Sequence, residues 1–246
     1  MKVYQGGCSF LKSPDIFVES ELSNQFGNDL INVNNCREGS SNAEIFKTAF
    51  FSLMKSNFDF VIIGWTHSWR HHKVMNEIEF NDINSKILEK ESNFNILNSM
   101  FGYQQIVGNS SKNIHCKFEP EATDDVIMYT AILHNLLNSK NIPHLFLSMG
   151  ELNNEVLKNR TGWLELINPK NYFGKGNILE KMNNSITNKF CKLHIEEGYT
   201  IHNSGSGMYY SSGYVRDKTN HLNHNGAKKL AEIVKNYIIE NQLISI

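Results

Sequence analysis

The chain has little of what disulfide-rich or membrane-spanning proteins depend on. It contains only four cysteines, which are widely spaced and form no C-x-x-C pair: Cys8, Cys36, Cys116 and Cys191. A disulfide framework or a cysteine-based zinc site is therefore not expected. No apolar run approaches the roughly 20 residues that cross a bilayer, and the N-terminus lacks the apolar stretch of a signal peptide. We expect a soluble protein in a reducing compartment, without a membrane partner.

A charge excess of either sign is also absent. The formal net charge is −1, and no basic stripe interleaved with aromatic residues occurs, so a nucleic-acid partner is not expected. Prolines number only four, and 40% of the 246 residues are hydrophobic. That length and composition suit one large domain with a substantial core.

Hydrophobic periodicity predicts strands that alternate with helices. The expected strands are 2–5, 30–34, 58–65, 142–149 and 199–202. The expected helices are 13–26, 42–55 with Ser41 or Asn42 as the N-cap, 122–139, 177–197 and 223–240. Such alternation is typical of a three-layer α/β/α sandwich with a central parallel sheet, as in flavodoxin-like folds. Residues 70–120 are polar and aperiodic, and we interpret them as an insertion in a single domain that spans 1–246; residues 151–173 are also expected to be irregular.

Ligand sites in parallel sheets lie beyond the carboxyl ends of the strands, so the residues that follow each strand are the candidates. The first strand leads into Gly6-Gly7-Cys8-Ser9, where the glycines permit a tight turn and Ser9 can project its hydroxyl. An ordinary N-capping serine is the alternative. Gly39 follows the second strand just ahead of a helix, where a backbone N–H can bind developing negative charge. A loop glycine with positive φ is the alternative there.

The third strand ends in a block that turns abruptly from apolar to polar: Gly64-Trp65-Thr66-His67-Ser68-Trp69-Arg70. Thr66 or His67 could donate a hydrogen bond to an oxyanion. Arg70 could bind a carboxylate or anchor the loop. The alternative for both tryptophans is simple packing.

A histidine directly precedes the last helix. His221 follows a flexible loop and is well placed to act as a general base, and Asp217 is the nearest carboxylate that could orient it. A surface histidine at a helix start is the alternative.

Together, these blocks resemble the SGNH (GDSL-like) hydrolase family. Gly7-Cys8-Ser9, then Gly39, then the block at Gly64, then Asp217 and His221 occur in the family's order over essentially the whole chain. The G-C-S-F opening and the W-T-x-x-W-R block look most like its divergent phage-associated branch.

The resemblance implies that Ser9 attacks an ester carbonyl, that His221 moves the proton and that Asp217 holds the imidazole. It also implies an oxyanion hole formed by Ser9, Gly39 and Thr66, with no metal and no cofactor. Two departures stand out. Thr66 occupies the place of the family's usual Asn. Asp217 lies four residues before His221 instead of three, and Asn220 or a backbone carbonyl is the alternative group that could orient the imidazole.

The resulting hypothesis is a serine esterase that removes a small acyl group, most simply acetyl, from a small-molecule or carbohydrate ester. Candidate substrate-binding residues are Trp65, His67, Arg70 and Tyr209. The expected location is cytoplasmic or virion-associated, and the oligomeric state stays open.

Three alternatives remain open. One is a catalytically inactive binding or structural protein on the same scaffold, such as a virion component. Another is a metal enzyme that uses clustered histidines, either His67, His71 and His72 or the pair His221 and His224. The third is a cysteine nucleophile at Cys8.

Overall fold

A computed structural model describes residues 1–8, 11, 30–37, 40–68, 94–98, 104–108, 112–200, 213–215 and 221–244; for 94–98, 104–108, 112–121 and 161 the description is of the backbone. Six strands lie within these residues. They are β1 (Lys2–Gly6), β2 (Ile31–Asn34), β3 (Phe60–Trp65), β4 (Phe94–Asn98), β5 (Gln104–Gly108) and β6 (His144–Ser148).

Four of these strands form a parallel sheet in the order β2-β1-β3-β6. In the register, Val3 lies opposite Phe60, and Val61 lies opposite His144. Helices flank this sheet, so the predicted α/β class with a central parallel sheet is confirmed. The predicted strands at 2–5, 30–34, 58–65 and 142–149 are confirmed to within two residues at each end.

The first helix, α1 (Asn42–Lys55), begins and packs as its sequence predicts. The Ser41 hydroxyl accepts the Glu44 N–H at 3.3 Å, which satisfies one of the free donors at a helix start. Ile45, Ala49 and Leu53 repeat every four residues and are all buried, so one face of the helix packs into the core. Burying an aliphatic side chain such as Leu53 contributes about 1.5–3 kcal/mol.

A long helix, α2 (Lys112–Ser139), packs beside α1, and the Phe46 and Tyr129 rings stack with centroids 4.3 Å apart. The helix begins ten residues before the predicted start at Ala122. Pro120 lies inside it, although a proline removes a hydrogen bond from a helix interior. The later start was predicted because the sequence up to residue 120 is polar and aperiodic. Before α2, the segment interpreted as an aperiodic insertion contains β4 and β5, which pair antiparallel.

The region after β6 contains more helix than expected. Residues 151–173 hold α3 (Asn154–Asn159), α4 (Thr161–Leu164) and a 3₁₀ helix at Pro169–Asn171. The single helix predicted for 177–197 is instead two, α5 (Ile178–Met182) and α6 (Ile186–Glu196). The expected strand at 199–202 is wrong for Tyr199 and Thr200, which belong to no strand. Its last two residues lie outside the described chain, as does the predicted helix at 13–26.

The last helix, α7 (His224–Glu240), confirms the prediction, with Asn223 as its N-cap. Leu230, Val234 and Ile238 recur every four residues and are buried in the core. Among the described helices, none is both long and apolar enough to cross a membrane.

Candidate active site

The turn after β1 is held tightly against the neighbouring strand. Leu11 donates its backbone N–H to the Cys8 carbonyl at 3.0 Å. A Cβ on Gly7 would lie 3.0 Å from Leu11 Cβ, and one on Gly64 would lie 2.9 Å from Leu11 Cδ2. Both glycines are therefore needed for close packing. Ser9 itself lies outside the described residues.

The chain after β2 stays next to that turn. Cys8 and Arg37 form a parallel bridge, and Arg37 donates its backbone N–H to the Gly7 carbonyl at 3.1 Å. The Arg37 guanidinium lies 3.6 Å from the buried carboxylate of Glu44, in the first turn of α1. Gly39, the predicted oxyanion donor, lies outside the described residues.

Thr66 follows β3, and a residue that sequence analysis treated only as a possible helix cap fixes its backbone. Asn42 Oδ1 accepts the Thr66 N–H at 2.8 Å, and Asn42 Nδ2 donates to the Thr66 carbonyl at 3.2 Å. The Thr66 backbone N–H is thus already used. The fully buried Thr66 hydroxyl has no hydrogen-bond partner among the described residues. The sequence signal that could have revealed this role was the pair Ser41-Asn42. Because Ser41 is the N-cap of α1, the Asn42 amide is not needed as a cap and can bind elsewhere.

Trp65 requires a correction. Its side chain is fully buried, with ring centroids 6.2 Å from Phe146 and 6.5 Å from Tyr129. The ring packs between the sheet and α2, as the alternative of simple packing predicted. It therefore presents no face for stacking on a sugar. Trp65 is not retained among the substrate-binding candidates.

His67 is partly exposed and lies against the loop that follows β6. Its Nδ1 accepts the Glu151 backbone N–H at 3.3 Å, so that nitrogen is unprotonated in this arrangement. A Cβ on Gly150 would lie 2.4 Å from the His67 backbone nitrogen. Gly150 thus lets the two loops approach each other. The only sequence signal for this role was the position of the glycine directly after a predicted buried strand.

The end of β6 is also joined to the start of α6. The Met149 carbonyl accepts the hydroxyls of Thr187 at 2.8 Å and Ser185 at 3.2 Å, together with the Thr187 N–H. Asn188 Nδ2 donates to the exposed Glu151 carboxylate. These contacts make the carboxyl edge beside β3 a fixed surface.

The direction of α7 brings His221 to this same edge. Asn241 and Gln242, just beyond the end of α7, line a shallow cavity with His144 at the amino end of β6. Tyr237, one turn earlier, donates its hydroxyl to the carbonyl of Tyr172, which is bridged to the middle of β6. The 17 residues of α7 rise about 25 Å, whereas a five-residue strand such as β6 spans about 17 Å. The start of α7, and the partly exposed His221 before it, therefore lie toward the carboxyl ends of the strands.

Other predicted site residues lie outside the described part of the chain. These are Asp217, the predicted acid, and the substrate-binding candidates Arg70 and Tyr209. His71 and His72 of the metal-site alternative are also outside it. Within the described residues, no group of three or more His, Cys, Asp or Glu side chains is arranged to hold a metal ion. Cys8 is a free, fully buried cysteine, which disfavours it as a nucleophile.

No protein-family model and no curated protein sequence matches the chain. Solved structures that are similar include the acetyl xylan esterase AlAXEase, with 12% identity and a TM-score of 0.45 over 97% of this chain and 100% of that one. A protein described as a lipolytic protein of the G-D-S-L family from Desulfitobacterium hafniense DCB-2 has 9% identity and a TM-score of 0.40 over 96% and 98%. A lipase/acylhydrolase from Enterococcus faecalis has 8% identity and a TM-score of 0.41 over 96% and 94%. All three TM-scores are below 0.5, so these likenesses carry no conclusion about activity or site residues.

Proposed function

We propose that the chain is a serine esterase that hydrolyses a small acyl ester, with Ser9 as the nucleophile and His221 as the general base. The observation that carries the proposal is the shared edge of the sheet. The turn that leads into position 9, the Thr66–His67 segment and the start of α7 all lie at the carboxyl ends of the parallel strands, where ligand sites occur in such sheets.

The proposed reaction has two steps. His221 takes the proton of the Ser9 hydroxyl as its oxygen attacks the ester carbonyl, and it returns that proton to the departing alcohol. Water then attacks the acyl-serine by the same route and releases the acid and free Ser9. Asp217 orients His221.

Three donors are proposed for the tetrahedral oxyanion: the backbone N–H groups of Ser9 and Gly39 and the Thr66 hydroxyl. The Thr66 N–H is excluded because Asn42 accepts it. The hydroxyl is proposed as the donor from this segment because it has no hydrogen-bond partner among the described residues.

The proposed substrate is an acetyl ester of a carbohydrate or other small molecule, and His67, Arg70 and Tyr209 remain the proposed substrate contacts. His67 is the one of these three that lies in the described chain, where it is partly exposed beside Thr66. A partly exposed imidazole at the site edge suits a hydroxyl-rich substrate, because it can exchange hydrogen bonds with solvent or sugar.

A fluorophosphonate probe tests the nucleophile. The folded wild-type protein should become labelled, Ser9→Ala should not, and Cys8→Ala should be labelled like wild type. Turnover of p-nitrophenyl acetate should follow the same pattern. A folded wild-type protein that is neither labelled nor active would refute the esterase and favour an inactive binding protein. Labelling that is lost in Cys8→Ala but kept in Ser9→Ala would assign the nucleophile to the cysteine.

A further inference from the structure

A buried histidine on α6 holds the chain that leads toward His221. His194 Nδ1 accepts the backbone N–H groups of Tyr214 at 3.0 Å and Val215 at 3.2 Å. Its Nε2 lies 3.3 Å from the Thr200 carbonyl. A backbone N–H can only donate and a carbonyl can only accept, so Nδ1 is unprotonated and Nε2 carries the proton.

The same short segment is held from the other side by the start of α7. Val215 and Leu222 form an antiparallel bridge. Asn223 donates its N–H to the Tyr214 carbonyl at 3.0 Å and its Nδ2 to the Gly213 carbonyl at 2.9 Å. We call residues 213–215 the clasp segment. It joins α6 to the chain immediately after His221.

Two glycines leave space for this arrangement. Gly213 has a φ of +81°, and a Cβ there would lie 2.5 Å from His194 Nδ1. A Cβ on Gly226 would lie 2.1 Å from the Tyr214 carbonyl oxygen. The Tyr214 hydroxyl also donates to the Glu197 carboxylate at 3.0 Å. The clasp segment therefore fits only with glycine at its own first position, Gly213, and at Gly226 of α7, which indicates that the fold specifies its position closely.

We propose that His194 is a positioning residue for His221, acting through the clasp segment; this inference rests on the proposed function. His194 fixes Tyr214 and Val215, and these fix Leu222 and Asn223, the two residues that follow His221. Removing the acceptor at Nδ1 leaves two backbone N–H groups without their partner and frees the segment. The general base then spends less time in reach of the nucleophile, whereas contacts to a bound ester are unchanged.

Three variants separate positioning from simple loss of a buried side chain. His194→Ala removes the acceptor. His194→Asn places an amide oxygen where Nδ1 stands, and His194→Gln places its amide one bond further along, where Nε2 stands. His134→Ala is the matched control, because it removes another buried histidine that accepts a backbone N–H, at the opposite end of the sheet.

The readouts are kcat and KM for p-nitrophenyl acetate, the rate of fluorophosphonate labelling, and amide hydrogen exchange of residues 213–223. We expect His194→Ala and His194→Gln to lose about 10²-fold in kcat, the scale of a small misplacement of a reacting group. KM should be unchanged, and the Tyr214 and Val215 amides should exchange faster. His194→Asn should recover most of kcat, and His134→Ala should retain it.

Equal kcat values for wild type and His194→Ala, or equal losses in His194→Asn and His194→Gln, would overturn the positioning role. If His194→Ala does not fold, the comparison of kcat between His194→Asn and His194→Gln decides the question alone. A wild-type protein that is neither labelled nor active would overturn the proposed function itself. Labelled wild type with an unaffected His194→Ala would overturn only the role of His194.

Discussion

Two buried histidines at the amino end of the sheet form a chain of hydrogen bonds whose proton positions can be deduced. The Asn168 backbone N–H points to His134 Nε2 at 3.1 Å, and Asn138 Nδ2 points to the same atom at 2.9 Å. His134 Nε2 must therefore accept, so Nδ1 carries the proton and donates to His144 Nε2 at 2.7 Å. His144 Nδ1 in turn donates to the Ile142 carbonyl at 2.9 Å. Both rings are neutral, and an added proton on either one breaks a contact.

The pKa of His144 is lowered from 6.5 to about 4, mainly because burial disfavours the charged ring; the hydrogen bond to the Ile142 carbonyl opposes this shift and the neighbouring His134 adds to it. Because the pKa is lower in the folded protein, the unfolded chain binds more protons between these two values. The contribution of neutral His144 to the free energy of unfolding is complete above pH 6.5. It decreases as the pH falls below that value and does not change further below about pH 4. A difference of about 2.5 in pKa, at 1.36 kcal/mol for each unit, corresponds to about 3 kcal/mol.

The variant His144→Gln tests this value, because an amide oxygen can replace Nε2 as the acceptor for His134 but does not titrate. Urea unfolding of both proteins at several pH values between 7.5 and 4 gives the two stability curves. We expect the wild-type free energy of unfolding to fall by about 3 kcal/mol more than that of the variant. The carboxylates and the histidines that do not contact His144 titrate in both proteins and cancel in the difference. Parallel curves would refute the argument, as would a ¹⁵N spectrum at pH 7 in which His144 is protonated on both nitrogens.

Two further substitutions test contacts at the opposite end of the sheet. Asn42→Asp keeps the acceptor for the Thr66 N–H but turns a carboxylate oxygen toward the Thr66 carbonyl. We expect the free energy of unfolding, measured with urea at pH 7, to fall by about 3 kcal/mol. An unchanged midpoint would contradict the two hydrogen bonds between Asn42 and the Thr66 peptide. Gly150→Ala places a Cβ 2.4 Å from the His67 backbone nitrogen; we expect a loss of about 1–3 kcal/mol and a lower melting temperature, with exposed Gly162→Ala, which meets nothing within 4 Å, as the control.

The elements that sequence analysis predicted best are those whose signal is local. The apolar run of β3 fits a central strand buried on both faces, and all six of its residues are buried. α1 combines a serine cap with apolar residues every fourth position, and both features lie within the helix itself. In such segments propensity, pattern and packing agree, so a single sequence suffices.

The broken helix between α5 and α6 shows where local signals fail. Its sequence is continuous enough to predict one helix over 177–197, but Asn183, Asn184 and Ser185 can satisfy backbone groups outside a helix. Ser185 caps α6 and also donates to the Met149 carbonyl. That second contact joins residues 36 positions apart, and no pattern within the helix reveals it.

The candidate site follows the same division. The rule that ligands bind at the carboxyl ends of parallel strands brought attention to Thr66. The position of His221 directly before the predicted last helix singled out that histidine. The contacts that hold them were missed. Asn42 reaches Thr66 across the sheet edge, and His194 reaches Tyr214 from another helix. Each joins two elements whose relative placement depends on the whole core.

Thr66 offers the most direct separation of stability from function. Its hydroxyl is buried and lacks a partner among the described residues, and such a group costs about 1–3 kcal/mol. Thr66→Val keeps the shape and removes that cost, so the free energy of unfolding should stay the same or rise by about 1 kcal/mol. If the hydroxyl donates to the oxyanion, kcat for p-nitrophenyl acetate should nevertheless fall about 10²–10³-fold. A more stable but slower variant would mean that the chain retains an unfavourable group for its chemistry, whereas an unchanged kcat would remove Thr66 from the oxyanion hole and leave the Ser9 and Gly39 backbone groups as its proposed donors.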